Sequence, residues 1–164
     1  MKKLIAFVIV LVIGVILSSG CVEIHKQRKI ELPAGELKKE YFPGGKLKSE
    51  FNLNPNGKKE GITRAYYESG QVKTEANFVN GKLEGIFKDY YESGELKGEV
   101  NYANGKPEGI DKWYYKSGQL KIEANFANGK KEGIAKWYDK SGKLEIEANF
   151  KNGKLEDILF LVEN

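Results

Sequence analysis

Apolar and polar residues alternate along most of this chain, and turn residues interrupt the alternation at regular intervals. Residues 110–115 (IDKWYY) are rich in aromatic side chains, and Lys116-Ser117-Gly118 marks a turn. Residues 120–126 (LKIEANF) then alternate, and Ala127-Asn128-Gly129 turns again. Short β-prone runs joined by Ser-Gly and Asn-Gly read as consecutive hairpins. The prediction is an antiparallel meander with two strands per unit. Beyond the apolar stretch near the N-terminus, no window carries the 3.6-residue spacing of a helix.

The pattern recurs with a period of 24 residues and no gap, in residues 61–84, 85–108, 109–132 and 133–156. A degenerate copy precedes them and a half-copy follows, so the repeat region runs over 35–164. A fixed period in this range marks a repeat array, whose units bury their apolar faces against one another. No helix is available to cover the sheet, which is therefore expected to be elongated, twisted and curled over its own aromatic rows. The half-copy ends in Ile158-Leu159-Phe160-Leu161-Val162, an apolar run near a free edge.

The first copy bears on the register. Tyr41-Phe42-Pro43-Gly44-Gly45 stands where the next unit has Tyr66-Tyr67-Glu68-Ser69-Gly70. In a two-residue loop Pro43 would owe the ladder an N–H that it lacks. In a three-residue loop it opens a type I turn and Gly45 takes the left-handed position. That loop sets Tyr66 opposite Val72, Arg64 opposite Thr74 and Ile62 opposite Ala76. If the Asn-Gly turns are also three-residue, one face collects Ile, Tyr, Leu or Val, Ala and Phe from every unit, through Phe78, Ile86 and Tyr90. This face is expected to be buried. The second face then carries Lys121, which faces Trp113, with Glu123, Asn125 and Asp111.

Composition narrows the function. The chain has 164 residues with 30% charged and 40% hydrophobic, compatible with one globular domain. Its net charge of +4 falls to +2 without Lys2 and Lys3, too near neutral for a polyanion binder, so no nucleic acid is expected. One Cys and one His exclude an internal disulfide and a zinc site built on them, and neither metal nor cofactor is expected. The turn serines, Ser69, Ser93, Ser117 and Ser141, have no histidine partner to make them nucleophiles. Glu75, Glu99, Glu123 and Glu147 are equivalent by repeat and read as solvated.

The N-terminus reads as a targeting segment. Met1-Lys2-Lys3 precedes an unbroken apolar run over residues 4–17, followed by Ser18-Ser19-Gly20-Cys21. A basic start, an apolar stretch and a small-residue border make a secretory signal over 1–20. The lone Cys of the chain sits where bacterial lipoproteins, which this segment resembles, carry their lipidated residue. The resemblance implies acylation of Cys21, a tether over 21–34 and attachment to the membrane outside the cytoplasm, at an outer membrane or cell surface. The alternative is an uncleaved signal-anchor helix over 4–22, just long enough to span a bilayer. His25, in the basic run of the tether, reads as a solvated residue.

The repeat unit, G-I-x-K-x-Y-Y-x-S-G-x-L-K-x-E-x-N-F-x-N-G-K-x-E, resembles the bacterial MORN repeat variant. The matching positions include Tyr90-Tyr91, Ser93-Gly94, Leu96-Lys97, Tyr102 and Asn104-Gly105-Lys106. The resemblance implies an all-β array of hairpins with an interaction role and no catalytic site. Similar chains are described as antitoxins of the YwqK type, which implies a toxin as the protein partner. A secreted chain departs from a cytoplasmic antitoxin. The motif holds no Gly-rich phosphate loop or metal-binding Asp set, so it does not read as an enzyme.

One feature has functional reach. Tyr67, Phe87, Tyr91, Trp113, Tyr115 and Trp137 form an aromatic row at about 9.6 Å per unit, two strand spacings. Either the row packs internally, or it is a strip for a protein partner or a glycan. The overall expectation is an envelope-anchored lipoprotein whose repeats act as a non-catalytic protein-interaction module. The other readings are an immunity-type protein that neutralises a toxin and a glycan-binding surface protein.

Overall fold

A computed structural model describes residues 35–162. The expected signal segment, the expected lipidation site Cys21 and the expected tether lie outside the described residues. Within them every regular element is a β-strand: β1 Glu36–Tyr41, β2 Leu47–Leu53, β3 Lys59–Tyr66, β4 Val72–Val79, β5 Lys82–Leu83 and β6 Gly85–Tyr90. The chain continues with β7 Leu96–Ala103, β8 Lys106–Tyr114, β9 Leu120–Ala127, β10 Lys130–Tyr138, β11 Leu144–Lys151 and β12 Lys154–Leu161. They form one open antiparallel sheet in chain order, with the short β5 paired to β4 alongside β6.

Two kinds of turn build it. At each Ser-Gly turn the loop has three residues. The Tyr67 carbonyl accepts from Gly70 N–H and the Gln71 carbonyl from Tyr67 N–H, while Gly70 has a φ of 94°. The first copy does the same around Pro43, with Gly45 at a φ of 81°, as the proline requires. The Asn-Gly turns at 80–81, 104–105, 128–129 and 152–153 have two residues, not three, whereas the one at 56–57 keeps a three-residue loop in which Gly57 N–H donates to the Asn54 carbonyl. Val79 pairs directly with Lys82, and Asn80 and Gly81 both have positive φ (50° and 81°). That is the type I′ turn favoured by the twist of flanking strands.

A bulge after each three-residue loop corrects the expected register. Tyr66 does face Val72, but Lys73 is then an extra residue. Ala65 faces Thr74, Arg64 faces Glu75 and Ile62 faces Asn77. The same slip sets Trp113 opposite Ile122 instead of Lys121. Because side chains alternate with a period of two, a one-residue slip exchanges the faces. Ile62, Ile86, Ile110 and Ile134 are consequently exposed, between 39% and 57%. The buried hydrophobic residues, Ala76, Val100, Ala124, Ala135 and Ala148, line the other face with the tryptophans.

Candidate functional site

The two faces have different chemistry. On the face with the isoleucines, one row crosses the sheet as Lys39, Glu50, Arg64, Glu75, Lys88, Glu99, Lys112, Glu123, Lys136 and Glu147. Each residue is the register partner of the next. Charge alternates at every step, and directly opposed opposite charges are the favourable pairing. Arg64 Nε lies 2.7 Å from Glu75, Lys136 Nζ 3.2 Å from Glu147 and Lys112 Nζ 3.6 Å from Glu123. The Glu75 hydrogen bond raises the Arg64 guanidinium above its ordinary value, and Glu147 does the same for Lys136. Tyr66 donates to Glu50 at 2.6 Å, and burial with that bond raises its phenol. The glutamates read from the sequence as merely solvated are thus members of a ladder.

The opposite face is aromatic. All six residues of the aromatic row share it, but they share it with the alanines rather than with an exposed polar surface. Trp113 lies between Gly98 and Ile122, and Trp137 between Ile122 and Ile146. Both tryptophans are half-buried, and Trp137 leans on Phe150 at 6.2 Å between centroids. Phe87 meets Tyr102 edge-on at 6.2 Å. Tyr67, Tyr91 and Tyr115 are tied down by their hydroxyls, which donate at 2.7–2.8 Å to the carbonyls of Tyr90, Tyr114 and Tyr138 in the next unit. In the fourth unit Asp139 takes this place and accepts from Ser141 and Lys143 of its own turn, which holds its carboxyl below the ordinary range.

Lysines interleave with these rings. The extra bulge residues project on this face: Lys73 Nζ sits 5.6 Å from the Tyr67 ring, and Lys121 Nζ 5.5 Å from Tyr115. Lys59 Nζ lies over Phe51 and Phe78, at 4.6 and 5.3 Å, and Lys131 over Trp137 and Phe150, at 5.3 and 5.1 Å. Lys97 pairs with the buried Asp89 at 2.9 Å, which raises its ammonium. Asp111 stands between Val100 and Ala124, and its Oδ1 has no hydrogen-bond partner. Burial pushes its carboxyl up to about 6. Sequence reasoning missed the ladder and Asp111 because both depend on the bulge. Among the described residues no three His, Cys, Asp or Glu side chains come together as metal ligands.

Each unit is pinned to its neighbour at the Asn-Gly end as well. Asn80, Asn104, Asn128 and Asn152 donate their N–H at 2.8 Å to Glu60, Glu84, Glu108 and Glu132 of the preceding unit. The repeat motif therefore encodes contacts between units as much as hairpins.

No curated protein matches the chain. The sequence profile of the MORN repeat variant matches four consecutive segments, 59–80, 83–104, 107–128 and 131–152, which together exceed half of the chain. With its motif residues placed in paired hairpins and in the bonds between them, the chain belongs to the MORN repeat variant family.

Proposed function

We propose that this protein is an envelope-anchored lipoprotein whose repeat sheet acts as a non-catalytic protein-interaction module. The observation that carries the interaction reading is the aromatic face. It holds Phe, Tyr and Trp side chains in repeated rows, yet no large side chain among the described residues is fully buried. A half-buried aromatic face interleaved with lysines suits a protein partner, since aromatic anchors supply much of interface energy. MORN repeats suggest the same role, that of a repeat-based interaction module. The anchoring reading is supported by the lone Cys21 directly after an apolar run and Ser18-Ser19-Gly20.

Two experiments test the two halves. Labelled palmitate should enter the wild-type chain and not Cys21→Ala, and the variant should leave the membrane fraction with its repeat fold intact. Equal labelling of both chains rules out acylation at this residue. For the interaction, crosslinking of the anchored protein in intact cells followed by mass spectrometry should recover one partner reproducibly. Recovery of none, with the protein correctly folded and placed, removes the module reading.

A further inference from the structure

We propose that an opening on the aromatic face over β2–β6 is the docking site for an acidic peptide segment that carries an aromatic side chain. The inference rests on the interaction reading above and adds where the partner seats and what it presents. It starts from one register row. In the later units that row reads Gly98, Trp113, Ile122, Trp137 and Ile146, so indole rings and branched side chains fill it. In the earlier units the same row reads Ser49, Ala65, Thr74 and Asp89, and the Asp89 carboxylate is paired to Lys97. The backbone is the same and the side chains are small, so a groove opens where the tryptophans would lie. This open groove has a volume of about 420 Å³, within the range of ligand clefts.

The walls are aromatic. Phe42 closes the turn end, and Phe78 and Phe87 stand at the other. Phe42 occupies the place of Tyr67, Tyr91 and Tyr115 but has no hydroxyl to reach the next unit. On the floor, the buried hydroxyl oxygen of Thr63 has no hydrogen-bond partner.

Charge selects the occupant. Lys48, Lys59 and Lys73 stand at the rim, and among the described residues no carboxylate lies within ion-pair distance of any of them. Arg64, Lys112 and Lys136 on the opposite face are all paired. Lys59 and Lys73 rest on ring faces, which holds their ammonium groups at the rim without neutralising them. The one carboxylate at the rim, Glu40, accepts from Ser49 Oγ at 2.8 Å. Three lysines against one glutamate leave an excess of two positive charges. That suits a few carboxylates better than a polyphosphate backbone, which needs a longer cationic track. An aromatic side chain flanked by Asp or Glu would fill the gap left by the absent indole and meet the rim lysines with charge-assisted bonds.

The test uses the full-length chain in detergent micelles and a fluorescein-labelled Asp-Trp-Asp-Phe-Asp peptide. The filled variant, Ala65→Trp with Thr74→Ile, copies the side chains of the later units and should keep the fold. It should weaken binding at least about tenfold. Replacing Lys48, Lys59 and Lys73 with Gln should also weaken it and flatten its dependence on salt. These are rim positions, so the triple variant remains informative if the filled one misfolds. The proposal is overturned if the peptide fails to bind the wild type, if the filled, folded variant binds as well, or if a Lys-for-Asp peptide binds equally. Preferential binding of oligothymidine or of phosphatidylglycerol vesicles would reassign the face to another class of ligand and also overturn it. A crosslinked cellular partner retained by the filled variant removes the groove but leaves the interaction reading standing. A partner absent from every variant removes that reading itself.

Discussion

At the scale of single residues, two positions on the aromatic face test the energetics. Asp111 carries a carboxyl raised to about 6 by burial, so the folded chain holds a proton that the unfolded chain releases near pH 4. Its ionisation therefore costs stability as pH rises from about 4 through 6, and the full cost is present at pH 7. The shift corresponds to at most about 3 kcal/mol, and to about half of that once partial exposure is discounted. Asp111→Ala should stabilise the protein at pH 7 by about 1–2 kcal/mol and should make little difference at pH 4. Urea titrations of both chains at the two pH values measure this, and an equal gain at both would show that the charge is not the cause. Gly98 is the second position. A Cβ placed there would lie 2.5 Å from Cε3 of Trp113. Gly98→Ala should displace the indole and cost about 1–3 kcal/mol, the usual range for overpacking. A shifted tryptophan emission with lower urea resistance is the expected record, and an unchanged spectrum would place the ring elsewhere.

At the scale of elements, hairpins and their joints carry separate messages. The three-residue turn was legible because Pro43 cannot donate an N–H, and that constraint fixes the pair Tyr66–Val72. The bulge that follows was not legible. Lys73 looks like any other polar strand residue, and only the paired backbone reveals that it is extra. One unread residue turned the expected buried isoleucines outward, onto the face of Glu123 and Asn125, and set Asp111 and Trp113 on the face of Ala124. The joints were also hidden, since Tyr91 and Tyr115 act on carbonyls 23 residues further along. Tyr91→Phe with Tyr115→Phe deletes two such bonds and keeps the rings. Each should cost about 0.5–1.5 kcal/mol, and proteolysis should release single units sooner than in the wild type. If the double variant melts and cleaves like the wild type, the joints are held by packing alone.

At the scale of the whole sheet, the repeat period made the all-β array legible, while its two chemically distinct faces emerged only from the register. The aromatic face depends on shared packing. Trp113 and Trp137 are separated by Ile122, so losing either exposes the other. Replacing both with Ser should cost at least roughly 2 kcal/mol each, somewhat less than full burial would imply. Denaturant titration would show it, and a loss within ±0.5 kcal/mol would mark them as ordinary surface residues.

The ladder face makes the opposite prediction, because its strength lies in alternation over distance. Glu99 stands between Lys88 and Lys112. Single exposed pairs contribute little, but Glu99→Lys would convert two attractive neighbours into two repulsive ones in the middle of the row. The expected cost is about 1–2 kcal/mol at low salt, the sum of two lost and two reversed cross-strand pairs. Screening shortens the reach of these charges to about 3 Å at 1 M salt, so most of the loss should be recovered there. Glu99→Gln removes attraction without adding repulsion and should cost less than half as much. Thermal melts of the three chains at low and high salt separate these terms. A Glu99→Lys penalty that persists unchanged at 1 M salt would mean that the hydrogen bond from Tyr114, whose hydroxyl donates to Glu99 at 3.4 Å, and not charge alternation, fixes this row.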